Sequence, residues 1–262
     1  MSETTATPSI TWSDATRQAA FQAWLDRLAV SHGLVVGAVT SASADASFRR
    51  YFRVPSDSGQ TFIIMDAPPQ HEDCRPFVKV ARLLADGGVS APGILAWDEP
   101  QGFMLLTDLG AHTLLSTLKV DADEHSPEDV ANRWRYQAAT DELITLQGIA
   151  AQDQVPAYDD ALLQREMDLL PQWYLTQLRG MTLTDAQQAT LHRSFDLIKA
   201  QVLAQPTVLV HRDYHSRNLM ATPGDPKARP GVIDFQDAVW GPITYDLVSL
   251  LRDCLLYTSD AA

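Results

Sequence analysis

The chain has 262 residues, 45% of them hydrophobic and 20% charged, with a formal net charge of −13. That balance describes a globular protein able to bury one large core or two smaller lobes, and the acidic excess with scattered Lys and Arg excludes a grip on nucleic-acid phosphates. No segment reaches the ~18 consecutive apolar residues of a membrane span, the start lacks the basic and apolar regions of a signal peptide, and Cys74 and Cys254 show no metal-ligand spacing. The expectation is a cytoplasmic protein with reduced thiols and no membrane association.

In chain order, Ser13 or Asp14 caps a predicted helix whose Phe21, Trp24, Leu25 and Leu28 share one face. The runs "GLVVGAV", "SFRRYFRV" and "TFIIMDA", separated by turn-formers at "SASAD" and "PSDSGQ", predict a three-stranded antiparallel meander. Pro76 opens a helix with Phe77, Val80, Ala81 and Leu84 on one side, stopped by Gly87 and Gly88. Two more strands follow in "GILAWDE" and "GFMLLTD", joined by a turn over residues 98–102.

Beyond Gly110 the pattern is helical. "SPED" at Ser126 has a Ser cap, a first-turn Pro and early acids, and "TDAQ" at Thr184 fits a capping box. Two apolar stripes, Leu163, Met167, Leu170, Tyr174 and Leu178, then Leu191, Phe195, Ile198 and Val202, read as core-facing helix sides. Two β-like runs interrupt the helices, "TVLVH" and "GVIDF", and each ends at a polar residue.

These runs carry the chemistry. A strand that delivers Asp213 into a loop, an Asn five residues on, and a second strand that delivers Asp234 fit phosphoryl transfer around a nucleotide and Mg²⁺. Asp213 would take the proton of the attacking hydroxyl, while Asn218 and Asp234 would offer oxygen ligands to a hard cation. A turn-capping carboxylate and a loop amide are the bland alternatives for Asp213 and Asn218, and a metal site from His211, Asp213 and His215 is a third reading.

The stretches "HRDYHSRNLM" and "VIDFQDAVWGPITYDLVSLLRD", with "DASFRRYFRV", "IIMDAPP" and "EDCRPFVKVARLL", resemble the aminoglycoside phosphotransferase family of protein-kinase-like enzymes. Within that family the resemblance is to the anomeric amino-sugar kinases. It implies an α+β, bilobal protein-kinase-like fold, with an N-terminal nucleotide lobe over residues 1–107 and a mainly helical lobe over 108–262. It also implies ATP and Mg²⁺ as cofactors and an amino-sugar substrate, N-acetylmuramate or N-acetylglucosamine, phosphorylated at its 1-hydroxyl for peptidoglycan recycling. Residue by residue, Asp213 matches the catalytic base, and Asn218 and Asp234 match the metal ligands. Asp45 to Arg50, with Ser47, Phe48, Arg49 and Arg50, match the turn and strand over the phosphates. Leu106 to Leu109, including Asp108, match the connection that meets the adenine, and Asp246 matches a buried brace of the catalytic loop.

The sequence departs from a protein kinase in lacking both the third-strand Lys and the helix Glu that pairs with it; Met65 stands near the Lys position. Arg49, Arg50 or Arg53 is the expected source of the missing charge. Alternation puts Arg49, Tyr51 and Arg53 on one face and Arg50 and Phe52 on the other, so only one set can look at the nucleotide. The last residues, "LLYTSDAA", fit neither a helix nor a cap and read as translated adapter DNA, so a shortened reading frame is expected. An aminoglycoside or other small-alcohol kinase, and a nucleotide-binding protein without activity, remain open, because catalytic residues do not report the acceptor.

Overall fold

The computed structural model describes residues 10–12, 14–44, 48–119 and 121–253. The expected cap Ser13, the turn residues Asp45 and Ser47, Cys254 and the 255–262 tail lie outside the described residues.

Helix α1 (Ala15–His32) starts where the Asp14 carboxylate accepts the Thr16 and Arg17 amides at 2.8 and 3.3 Å, and ends at Gly33 with φ +61°. Its Phe21, Trp24 and Leu25 are buried against one face of a five-stranded antiparallel sheet of order β1-β2-β3-β5-β4. The strands are β1 (Thr40–Ala44), β2 (Arg50–Pro55), β3 (Thr61–Asp66), β4 (Ile94–Asp98) and β5 (Phe103–Thr107). The first strand corrects the sequence reading. The β-branched "GLVVGAV" makes only a single bridge at Leu34 and a short 3₁₀ turn over Val36–Ala38, while the expected turn "SASAD" supplies β1. Strand propensity loses here to register: the chain leaving α1 must first turn back before Thr40 can lie beside Arg53.

The sheet separates two cores. Phe52, Val54, Ile64, Phe103 and Leu105 face α1, with Phe21 edge-on to Phe52 and Phe103. Tyr51, Ile63, Met65, Met104 and Leu106 face the other way. There they meet α2 (Arg75–Asp86), whose Phe77, Val80, Ala81 and Leu84 are buried as the periodicity predicts. The 98–102 turn needs glycine at its end: Gly102 has φ +68°, and a Cβ there would lie 1.9 Å from the Ala67 carbonyl oxygen.

The second half is mainly helical: α3 (Leu114–Thr117), α4 (Pro127–Gln147), α5 (Asp160–Met167) and α6 (Asp185–Leu203). Ser126 caps α4 through the Asp129 amide, and both halves of the Thr184–Gln187 capping box form at α6. The expected long stripe after α5 does not form a core. Residues Leu170–Leu178 wind as a π-helix, whose wider turn breaks the 3.6-residue register, and Leu170, Tyr174 and Leu178 are exposed while Leu163 is buried. On α6 only Phe195 is buried, and Ile198 is exposed.

Two small two-stranded ladders follow: β6 (Thr207–Val210) pairs with β9 (Val239–Pro242), and β7 (Leu219–Met220), nested between them in the chain, pairs with β8 (Gly231–Val232). Helix α7 (Tyr245–Arg252) follows β9. Among the described residues no helix is long and apolar enough to cross a membrane.

Candidate active site

The two ladders bring the sequence-predicted residues together. Strand β6 ends at Val210 and releases residues 211–218 as a loop; Asn218 enters β7, and Asp234 leaves β8 two residues past Val232. Because Leu219 pairs with Val232, the antiparallel ladder continues as Ile233 N–H donating to Asn218 O at 3.0 Å, which sets Asn218 beside Asp234. The Asn218 Nδ2 donates to the Asp213 backbone carbonyl at 3.0 Å and to Asp234 Oδ2 at 3.3 Å. Thus one amide touches both loops that carry the carboxylates. Asp213 and Asp234 are exposed, whereas Asn218 is buried.

His211 locks the arrangement from below. Its Nε2 pairs with Ile233 O at 2.9 Å and its Nδ1 accepts the Asp213 amide at 3.2 Å, which requires the neutral tautomer with the proton on Nε2. Burial pushes the imidazole pKa down, keeping it neutral. Both nitrogens are taken, so His211 has none left for a metal, and no group of three His, Cys, Asp or Glu side chains among the described residues could hold one. That overturns the His211, Asp213 and His215 metal reading.

The loop backbone is held at a conformation L residues rarely adopt: Arg212 has φ +80° and Asp234 φ +66°. Asp246, fully buried at the start of α7, offsets part of this strain by accepting the His211 amide at 2.7 Å and the Arg212 amide at 3.0 Å. Burial raises its pKa to about 7 against the pull of those two amides. Arg212 turns away to Glu166, which also accepts the Tyr158 hydroxyl. Tyr214 points into the core and donates to Ala139 O at 2.8 Å. Phe235, next to Asp234, packs at a tilt against Phe77 of α2 with ring centroids 4.8 Å apart.

The expected nucleotide residues are scattered by the sheet. Arg50 lies on the α1 face, its guanidinium 4.0 Å from the Trp12 ring and paired with the buried Asp66, so the structure turns it away from the face that carries Tyr51 and Met65. Arg53 faces the opposite way and reaches the segment after β5: it grips Asp108 at 2.6 and 3.0 Å and the Gly110 carbonyl at 2.8 Å. Asp108 also accepts Thr61 Oγ1 and the Gly110 amide. Burial opposes its charge, yet Arg53, Thr61 and Gly110 hold the carboxyl below the usual range. Its side chain therefore shapes the connection, while Leu106 is buried at the end of β5. Arg49 pairs with Glu72 at 3.1 Å just before α2, and the exposed Phe48 ring stacks on His71 at 4.4 Å. Glu72 carries no periodic signal in the sequence, because it lies in the loop that enters α2 and not on a face of the helix.

Comparison with known proteins gives the family. Residues 38–260 match the phosphotransferase enzyme family. A relative from Pseudomonas putida named N-acetylmuramate/N-acetylglucosamine kinase is 48% identical over 221 residues, covering 84% of this chain and 61% of the relative. One of the same name from Pseudomonas aeruginosa is 44% identical over 252 residues, covering 93% of this chain and 70% of the relative. One from Neisseria meningitidis is 41% identical, covering 83% and 62%. The chain thus spans between three fifths and seven tenths of the length of these curated relatives. Among solved structures, wild-type aminoglycoside 2′-phosphotransferase-IIIa in its GDP complex superposes with a TM-score of 0.59 at 16% identity, covering 89% of this chain and 79% of that one. Macrolide 2′-phosphotransferase from Brachybacterium faecium gives 0.57 at 18%, covering 87% and 76%. At that identity the likeness is one of fold, an α+β, bilobal, protein-kinase-like architecture. With its Asp213, Asn218 and Asp234 loops assembled in that frame and its sequence matched from residue 38 to 260, the chain belongs to the phosphotransferase enzyme family.

Proposed function

We propose that this chain is an ATP-dependent kinase that phosphorylates the anomeric hydroxyl of N-acetylmuramate and/or N-acetylglucosamine, supplying a sugar 1-phosphate for peptidoglycan recycling. The observation that carries the acceptor is the 44% identity over 252 residues to a relative of that name, since the catalytic groups alone do not report it. The aminoglycoside phosphotransferases among the solved structures are 15–18% identical, which supports the fold and not their acceptor. The division into a nucleotide lobe over residues 1–107 and an acceptor lobe over 108–262 belongs to the same proposal.

In this reading the exposed Asp213 carboxylate accepts the proton of the anomeric hydroxyl as its oxygen attacks the γ-phosphorus of ATP. The bond to the β,γ-bridging oxygen breaks, and ADP leaves. An anomeric hydroxyl is more acidic than other sugar hydroxyls, so a carboxylate suffices as base. His211 and Asn218 fix the backbone on either side of Asp213, which keeps the base in place without touching its carboxylate. Asn218 and Asp234 would hold Mg²⁺. A single amide and a single carboxylate side by side fit that ion, which takes few protein ligands and completes its shell with phosphate oxygens and water. When bound it offsets the negative charge of the phosphates. Arg49, just before β2, would add positive charge.

The test is product formation from Mg-ATP with N-acetylmuramate, N-acetylglucosamine and an aminoglycoside, using this chain beside Asp213→Ala. Sugar 1-phosphate formed only with Asp213 present is the expected result. Phosphorylation of the aminoglycoside alone, or equal turnover by the variant, would overturn the proposal.

A further inference from the structure

We infer that the Arg49–Glu72 ion pair replaces the absent strand lysine and helix glutamate: Arg49 meets the nucleotide phosphates, and Glu72 positions it. The inference rests on the nucleotide reading above and names the residues by which this chain satisfies it.

Phosphates beneath the sheet need a fixed cation on its cleft face. Met65, on β3, is fully buried and brings no charge. Of the three β2-side arginines, Arg50 is held on the opposite face between Trp12 and Asp66, and Arg53 is drawn to the lobe connection by Asp108 and Gly110. Arg49, immediately before β2, shares by alternation the face of Tyr51 and Arg53, turned away from α1, and its contacts with Glu72 and Tyr51 hold it there. Its Nε and Nη2 both converge on Glu72 Oε2 at 3.1 Å, and the two side chains are only 12% and 14% exposed. Burial works against the guanidinium charge, but Tyr51 and Glu72 outweigh it and raise its pKa.

Glu72 is more than a partner of convenience, because its loop is joined to the turn at two consecutive points. Phe48 stacks on His71 and Arg49 pairs with Glu72, so the β2 start and the entry to α2 move together. The helix then reaches the opposite loop: Phe77, on the first turn of α2, packs on Phe235 beside Asp234. One rigid element thus spaces the phosphate cation from the residue assigned to the metal. In a protein kinase the glutamate sits within the helix; here it has moved to the loop just before it.

The experiment compares binding of adenosine with binding of a non-hydrolysable ATP analogue, both with Mg²⁺, by titration calorimetry on the whole chain. Binding needs no acceptor and no turnover, so the readout is independent of the sugar specificity. Arg49→Met is expected to weaken the analogue by about tenfold to a hundredfold, the loss of a charge-assisted hydrogen bond to phosphate, and to leave adenosine within about twofold. Glu72→Gln, which keeps shape and loses charge, is expected to weaken the analogue by about threefold to tenfold with adenosine again unchanged. Parallel losses for adenosine and the analogue would make the pair a structural tie and overturn the inference. So would a Glu72→Gln protein whose ratio equals that of the wild type, and this variant decides alone if Arg49→Met does not fold. A wild-type chain that bound neither ligand would overturn the nucleotide reading itself, and the inference with it.

Discussion

Residues 207–234 and residues 160–203 lie in the same half of the molecule and are held in different ways. In the first, polar backbone groups find partners within the ladders and their neighbours: Asp246 takes two loop amides, His211 bridges to Ile233, and Asn218 spans both loops. In the second, helices α5 and α6 contribute Leu162, Leu163, Met167, Val202 and Phe195 to packing, while Trp173, Tyr174, Leu178 and Leu197 are exposed. The loop is over-determined by directional bonds, so its strained φ values persist. The helices depend on non-directional burial, which falls on whichever turns happen to face a neighbour.

The largest effect that sharpens this contrast is chemical. Asp213→Ala is expected to lower turnover by about 10²- to 10⁴-fold, the range for removing a general base, while the unfolding midpoint in urea stays close to wild type because the side chain is exposed. Next comes Phe195→Ala, the one buried position of α6, expected to cost about 3 kcal/mol in urea unfolding. A cost below about 1 kcal/mol would mean that α6 contributes little to the core and would break the comparison.

Asp246→Asn tests the loop by pH. The folded-state pKa of Asp246 is raised to about 7 from an ordinary 3.8. The native state therefore keeps a proton that the unfolded chain has released, and this contribution is full below about pH 4 and lost as pH rises through about 7. The Asn variant is expected to lose that slope. It should also be less stable by about 1–3 kcal/mol near neutral pH, since one amide of His211 or Arg212 loses its acceptor. His211 acts in the opposite sense, destabilising as pH falls below about 6.5. The diagnostic is therefore the difference between wild-type and variant midpoints measured from pH 5 to 8. The smallest effect is on the exposed turn: Leu178→Ser should change stability by no more than about 0.5 kcal/mol.

The same contrast governs what was legible. Capping signals are local, so Ser126, Thr184 and the 98–102 turn formed where expected. The spacing from Asp213 to Asn218 and on to Asp234 is also near-local, because the β7–β8 ladder carries it into contact. Amphipathic periodicity promised a buried face through Leu178, but periodicity states only that a face is apolar. Whether another element covers it is a tertiary fact, and Pro171, which cannot donate an α-helical hydrogen bond, lies in the segment that changes to a π-helix. Strand propensity misplaced β1 for a similar reason, since pairing with Arg50–Pro55 selected the polar run.

By itself, then, the sequence determined the chemical groups, their order and the two β-like runs that precede Asp213 and Asp234, because those depend on neighbours a few residues apart; the strands that pair with those runs came from the tertiary structure. The tertiary structure alone decided which carboxylate each arginine meets. Alternation placed Arg49 and Arg53 on one face and Arg50 on the other. Only the position of Glu72 before α2, of Asp108 at the lobe connection and of Asp66 under α1 assigned each its partner. Those carboxylates lie 16 to 55 residues away in the chain, and a charge pair over that distance is set by the packing of whole elements.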